Sequence, residues 1–131
     1  MQPLHIFLFF YLVTVALETP VLVFALSRRH PLGRRLLAGV WLTACTYPVV
    51  WYVIPSLIDI ERERWFYLLV AETFAPAAEC LVFWLAFVRG LPRNPSATVR
   101  DVVAITAANL VSFVLPELGY VAWNAWGEPS P

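Results

Sequence analysis

The sequence predicts an all-α integral membrane protein, a four-transmembrane-helix up-down bundle with proline-kinked helices. Three observations predict this fold class. Hydrophobic residues make up 60% of the 131 residues and charged residues only 14%, whereas soluble domains average about 45–50% and about 25%. The apolar residues collect in four long stretches, and prolines recur inside those stretches. A chain of this length is expected to form a single transmembrane domain over residues 1–131.

Each of the four apolar stretches is long enough to cross a bilayer. A hydrocarbon core of about 30 Å needs roughly 20 apolar residues in helical form. Backbone in lipid must satisfy its own hydrogen bonds, which favours helices over isolated strands. The connections are short, so consecutive helices are expected to be antiparallel. The predicted helices cover approximately residues 3–26, 36–57, 65–88 and 102–123.

Arginines set the predicted orientation, since all nine basic residues are arginine. The first and third connections are rich in arginine, and their only acid is Asp101, whereas the second connection mixes acids with arginines. Arginine-rich short loops stay in the cytoplasm. We therefore expect a multi-pass protein of the cytoplasmic (inner) membrane with both termini and the second connection outside. His30 and Pro31, in the first connection, are predicted to form a cytoplasmic turn and not a site.

Aromatic residues support the same orientation. Tryptophan and tyrosine prefer the membrane–water interface because their rings are amphipathic. Those near the helix ends assigned to the outside are Trp51, Tyr52, Trp65, Tyr67, Tyr120, Trp123 and Trp126.

Prolines interrupt every predicted helix. Proline removes a backbone hydrogen bond and kinks a helix, and membrane helices tolerate it when neighbours or water satisfy the freed carbonyl. One interpretation is that membrane helices simply carry more proline. The other is that the kinks open a polar cavity, because three prolines lie within four residues of a glutamate inside the helices. The prolines are Pro20, Pro48, Pro55, Pro76 and Pro116.

Four glutamates inside the helices, Glu18, Glu72, Glu79 and Glu117, are the main candidates for function. An acidic residue at the centre of a membrane helix costs about 2.5–3.5 kcal/mol. Four unpaired ones would cost on the order of 10 kcal/mol, which rivals the stability of a whole domain. These side chains are therefore expected to be protonated, paired, metal-bound or in contact with water.

The helical rise of about 1.5 Å per residue sorts the acids into two layers. Glu72 and Glu117 lie about 10 Å from the outer helix ends, and Glu18 and Glu79 about 21 Å. Asn109 falls near the deeper layer. Asn109 and Ser112 share one face of the fourth helix because they are three residues apart.

No arginine lies at either depth by this count, and His5 is the only base near the outer layer. Close carboxylates without a partner are expected to share protons or to collect a hard cation. No transition-metal motif is present, so no metal site is predicted. As an alternative, a protonated glutamate can have a structural role and stabilise helix packing through a hydrogen bond to Thr46, Asn109 or a carbonyl freed by proline.

Three functions remain open from the sequence. The first is a small transporter or channel component coupled to protons or a cation through the glutamates, which we expect to act as a homo-oligomer or with a larger membrane-protein partner. The second is an intramembrane enzyme that acts on a lipid-phase substrate with a glutamate as general base. The absence of a nucleophile motif disfavours it. The third is a non-catalytic accessory subunit. No motif identifies a cofactor, and zero net charge gives no indication of nucleic-acid binding.

Overall fold

The computed structural model describes residues 4–127, with side chains described as far as residue 124. These residues form four long helices and no strand. All four are long and apolar enough to cross a membrane. The predicted start of the first helix at Pro3 and the side chain of Trp126 lie outside the described residues.

Helix α1 spans Leu4–Ala25 and helix α2 spans Leu32–Leu57. Within α2, a π-helical turn at Val49–Val53 directly follows Pro48. Proline lacks the N–H that would bond to the preceding turn, and a π-helical turn is one way in which a helix absorbs that loss. The structure places the start of α2 at Leu32, earlier than the predicted residue 36, because the helix continues past its apolar part.

Helix α3 spans Arg64–Val88 and ends in a second π-helical turn, Trp84–Val88. Helix α4 spans Pro95–Gly127 and so begins well before the predicted residue 102. Asn94 caps this start, since its Oδ1 atom accepts hydrogen bonds from Ala97 N (3.1 Å) and Ser96 Oγ (2.9 Å). An asparagine cap followed by proline at the first helical position is a strong signal for a helix start.

Each helix packs against two neighbours. Helix α1 contacts α2 and α4, and α3 contacts the same two helices. One end of the bundle contains the turn after α1 and the start of α4, where Ser27 N donates to Asp101 Oδ1 (2.7 Å) and Arg100 Nε donates to Ala25 O (2.8 Å). We call this the arginine end, since the arginines of residues 28–35 and 89–100 lie there.

The hydrophobic core lies in the half of the bundle next to the arginine end. All four helices contribute to it, and we call it the apolar plug. Its buried members are Leu22, Leu26, Ala38, Leu42, Phe83, Val88, Ala104, Ile105 and Ala108. The outer surface of the bundle is also apolar, with large side chains such as Phe24 (80% exposed), Leu69 (65%) and Val103 (60%) uncovered.

Helices α1 and α2 approach each other closely at Gly39. A Cβ atom added to Gly39 would lie 2.9 Å from the Thr19 Cα atom, a distance shorter than Cβ atoms show in real structures. It would also clash with the Thr19 side chain. Small residues allow such close approach of helices. The contact therefore requires glycine at position 39.

We predict that Gly39→Ala destabilises the bundle by about 1–3 kcal/mol, because overpacking forces the two backbones apart. Thermal unfolding of the purified protein in detergent measures this. Gly33→Ala is the matched control, since a Cβ atom there meets nothing within 4 Å and alanine favours helix. Equal melting temperatures for the two variants would contradict the close approach.

Candidate functional site: a glutamate-lined cavity

A cavity of about 220 Å³ opens in the half of the bundle beyond the apolar plug. All four glutamates predicted from the sequence line it, one each from α1 and α4 and two from α3. Three other predicted candidates, Thr46, Asn109 and Ser112, line it as well. Pro116 is also in the wall, whereas His5 is exposed and is not among the lining residues. We call this space the glutamate cavity.

The two deeper glutamates are enclosed. Glu18 and Glu79 are each only 2% exposed. Glu72 and Glu117 are half-buried. The sequence placed Glu18 and Glu79 in the deeper layer, and in the structure these two are the buried members of the four.

Glu18 is held by two hydroxyl groups from two different helices. Its Oε2 atom lies 2.8 Å from Thr43 Oγ1 of α2, and its Oε1 atom lies 2.7 Å from Ser112 Oγ of α4. Thr43 was not predicted as a site residue. Nothing in the sequence around Thr43 indicates that its side chain faces Glu18.

Glu79 is held in a similar way. Its Oε1 atom lies 2.8 Å from Thr46 Oγ1 of α2, and its Oε2 atom accepts a hydrogen bond of 2.8 Å from Asn109 Nδ2 of α4. Asn109 Nδ2 also donates to Ile105 O at 3.1 Å, which fixes the amide orientation because a carbonyl can only accept.

Each of the three hydroxyl groups that contact the deep glutamates also lies within hydrogen-bond distance of a helix carbonyl oxygen. Thr43 Oγ1 lies 2.9 Å from Gly39 O, Thr46 Oγ1 lies 3.2 Å from Leu42 O, and Ser112 Oγ lies 3.0 Å from Asn109 O. A hydroxyl carries one proton and can donate only once, but it can also accept. Each hydroxyl therefore either donates to the glutamate or donates to the helix carbonyl while it accepts a proton from the glutamate.

Proton counting thus allows both charge states of each deep glutamate in one arrangement of heavy atoms. An ionised carboxylate accepts from all its partners. A protonated Glu18 donates to Thr43 or Ser112, and a protonated Glu79 donates from Oε1 to Thr46, since Asn109 Nδ2 has no free electron pair for accepting a proton. Within residues 4–127, no arginine or histidine pairs with either glutamate.

The expectation that no arginine reaches the glutamates is wrong for Glu117. Arg64 Nη2 lies 3.3 Å from Glu117 Oε1, with both side chains about half exposed. Arg64 is the first residue of α3, and a long arginine side chain reaches several ångströms along the bundle surface. The depth count gave each residue the height of its backbone and so missed this contact.

A second buried polar cluster lies at the arginine end. The His30 ring is fully buried and its Nε2 atom lies 3.0 Å from Asp101 Oδ2. Arg29 Nη2 donates to the same Oδ2 atom at 2.6 Å. The predicted turn at His30 forms, and the His30 side chain points into the bundle. Asp101 was assigned to the third connection, and this assignment is wrong because Asp101 belongs to α4.

The His30 ring lies near one acceptor and two donors. Asp101 Oδ2, 3.0 Å from Nε2, can only accept, whereas Arg29 Nε lies 3.3 Å from Nε2 and Arg34 Nη1 lies 3.5 Å from Nδ1. The shorter contact with Asp101 favours a proton on Nε2, which leaves Nδ1 to accept from Arg34. Burial lowers the pKa of His30 below its ordinary value, and the charges of Arg29 and Arg34 act in the same direction against the opposing effect of Asp101. The ring also packs edge-on against Phe83 of the apolar plug, with centroids 5.0 Å apart.

Across residues 4–127, no group of three or more histidine, cysteine, aspartate or glutamate side chains is arranged to hold a metal ion. Comparison with known proteins finds no matching family model, no matching curated protein and no matching solved structure.

Glutamine at position 79 reproduces the protonated glutamate, because its Oε1 atom can accept from Asn109 while its amide group donates to Thr46. We predict that Glu79→Gln melts at or above the wild-type temperature. Asn109→Leu instead removes a donor from an enclosed carboxylate and is expected to cost about 1–3 kcal/mol. Thermal unfolding of both variants tests this, and a Glu79→Gln variant less stable than Asn109→Leu would contradict the proton count.

We predict that His30 makes stability depend on pH. Because the folded state disfavours the protonated ring, the His30 contribution is full above about pH 6.5, where the unfolded ring is neutral, and is lost as the pH falls below that value. The measurement is the melting temperature of wild type and His30→Gln between about pH 8 and about pH 5. The difference between the two proteins should shrink on acidification, and a difference that grows would show the opposite sign.

Proposed function

We propose that this chain inserts into the cytoplasmic membrane as an up-down four-helix bundle and acts as a proton-coupled transporter or channel component. One observation carries the proposal. Two enclosed carboxylates, Glu18 and Glu79, are bonded only by neutral groups that accommodate both the protonated and the ionised state.

Membrane insertion is supported by the surface of the bundle. Large apolar side chains cover its outside, including Trp65 (83% exposed), Trp123 (78%) and Leu118 (59%). Soluble monomers rarely expose contiguous apolar patches above a few hundred Å². Lipid is the solvent that suits such a surface, and helices of 22 to 33 residues rise at least 30 Å at about 1.5 Å per residue.

The distribution of arginine supports an orientation. The arginine end would face the cytoplasm, since short arginine-rich loops are retained there. The glutamate cavity then lies in the outer half of the bundle, and Glu72 and Glu117 lie between the deep glutamates and the outer surface. The termini would be extracytoplasmic.

Proton coupling is favoured over a fixed metal ion by the partners of the deep glutamates. Both oxygens of Glu79 and both of Glu18 are engaged by hydroxyl or amide groups, and Asn109 presents its nitrogen, which repels a cation. Membrane carboxylates that face a cavity are typical of proton pathways. A change of proton occupancy here requires only hydroxyl rotation, which is fast compared with movement of a helix.

The apolar plug limits how a proton could cross the bundle. It lies between Glu18 and Glu79 on one side and the His30 cluster on the other, with Leu42, Phe83 and Ile105 fully or nearly fully buried within it. Protons from the cavity therefore reach a closed end. Transfer across the bundle would require the plug to open, as in a carrier with alternating access, or a path along an interface with a second copy or a partner subunit.

We expect proton flux when the purified protein is reconstituted in liposomes with an internal pH-sensitive dye and an imposed membrane potential. Glu18→Gln and Glu79→Gln should reduce the flux to the level of protein-free vesicles, because glutamine holds the protonated geometry and cannot release a proton. Glu63→Gln is the matched control, since Glu63 is exposed and lies outside the cavity.

A flux that survives in the Glu18→Gln, Glu79→Gln double variant would reject the proposal. A wild-type protein that shows no flux in any imposed gradient would reject proton transfer by this chain alone and leave only the role of a channel component that needs a partner subunit.

A further inference from the structure

A second cavity, of about 460 Å³, lies at the arginine end between the end of α3 and the start of α4. Three arginines from two connections line it: Arg29 from the α1–α2 turn, and Arg89 and Arg93 from the α3–α4 connection. No acidic side chain is among its lining residues. We call it the arginine groove, and it plays no part in the proposed proton site.

Two of the three arginine charges in the groove have no acidic partner within the described residues. Across residues 4–127, Arg89 and Arg93 form no ion pair, and both are exposed. Only Arg29 has an acidic partner, Asp101. The groove therefore concentrates positive charge in a concave site, which is the arrangement that attracts an anion.

Arg29 supplies a fixed wall to the groove. Its Nη2 atom bonds to Asp101 Oδ2 at 2.6 Å and to Thr98 Oγ1 at 3.2 Å, which holds the guanidinium in place. Its Nη1 atom is enclosed and has no hydrogen-bond partner. A guanidinium held in this way is already oriented, so less conformational entropy is lost when a ligand binds beside it.

The remaining walls of the groove are apolar. Trp84 (43% exposed) and Val99 (62%) line it beside the arginines. Contacts with these apolar side chains would add nothing to the binding of a small inorganic anion. A ligand with an anionic head and an apolar body would contact both kinds of surface, and tryptophan commonly lies at the level of lipid headgroups.

We propose that the arginine groove binds a phosphate group, and that its natural source is the headgroup of an anionic phospholipid. Arginine matches phosphate geometry with paired hydrogen bonds, and basic pockets between membrane helices on the cytoplasmic side are known to bind anionic headgroups. The volume of the groove falls within the range of small-molecule sites, about 300–1,000 Å³. The lipid source depends on the proposed membrane insertion, whereas the phosphate chemistry does not.

The test is binding to the full chain in neutral detergent, measured by native mass spectrometry and by thermal shift. The ligands are a short-chain phosphatidylglycerol, the matching phosphatidylcholine and inorganic phosphate. Phosphatidylglycerol should bind wild type more tightly than phosphatidylcholine, whose choline cation faces the arginines. The Arg89→Gln, Arg93→Gln double variant should bind phosphatidylglycerol about tenfold or more weakly.

Arg28→Gln is the matched control, because Arg28 is an exposed arginine at the same end of the bundle and does not line the groove. It should bind phosphatidylglycerol like wild type. Binding of inorganic phosphate as tight as that of the lipid, and lost in the double variant, would keep the phosphate site and assign it to a free anion.

The proposal is overturned if Arg28→Gln weakens binding as much as the double variant, since the effect would then be general charge attraction. It is also overturned if phosphatidylcholine binds as well as phosphatidylglycerol, or if wild type binds none of the ligands. Unligated melting temperatures of the variants confirm that the exposed arginines are not needed for folding. Proton flux through the glutamate cavity is measured separately, so failure of one proposal is distinguishable from failure of the other.

Discussion

The cost of a carboxylate in a low-dielectric interior is the constraint that organises this bundle. Glu18 of α1 reaches Thr43 of α2 and Ser112 of α4, and Glu79 of α3 reaches Thr46 of α2 and Asn109 of α4. The four contacts lie at the four interfaces between neighbouring helices. Two side chains that would destabilise any single helix in lipid therefore connect all four helices, since each can be satisfied only when its two neighbours are in place.

The bundle is consequently divided along its length. One half contains the glutamate cavity, the middle contains the apolar plug, and the arginine end contains the His30 cluster. Phe83 connects the last two because its ring contacts both the plug and His30. The structure thus places two clusters of buried titratable side chains, the deep glutamates and the His30 cluster, on opposite sides of one hydrophobic barrier.

Much of this organisation could be predicted from the sequence. Apolar run length indicated the four helices, and the energetic cost of buried acids identified the four glutamates that line one cavity. Helical spacing also placed Asn109 and Ser112 on a common face. These signals are local, because they depend on one helix and on the solvent around it.

Other features could not be predicted, because they depend on distant contacts. Asp101 was counted as a loop acid, and nothing near it in the sequence shows that Arg29 and His30 meet it. Arg64 was placed by its backbone height, whereas its side chain extends to Glu117. The start of α4 was missed for a different reason: hydropathy finds the apolar part of a helix, while the Asn94 cap extends the helix beyond it.

The close approach at Gly39 limits how the bundle can move. With the Thr19 backbone against Gly39, α1 and α2 cannot slide past each other at this point without a clash. If the proposed proton transfer requires the apolar plug to open, a rocking of this pair against α3 and α4 would leave the contact at Gly39 intact. Such a rocking would stretch the contacts of Glu18 with Ser112 and of Glu79 with Thr46, which are hydrogen bonds that the proposed change of proton occupancy would also alter.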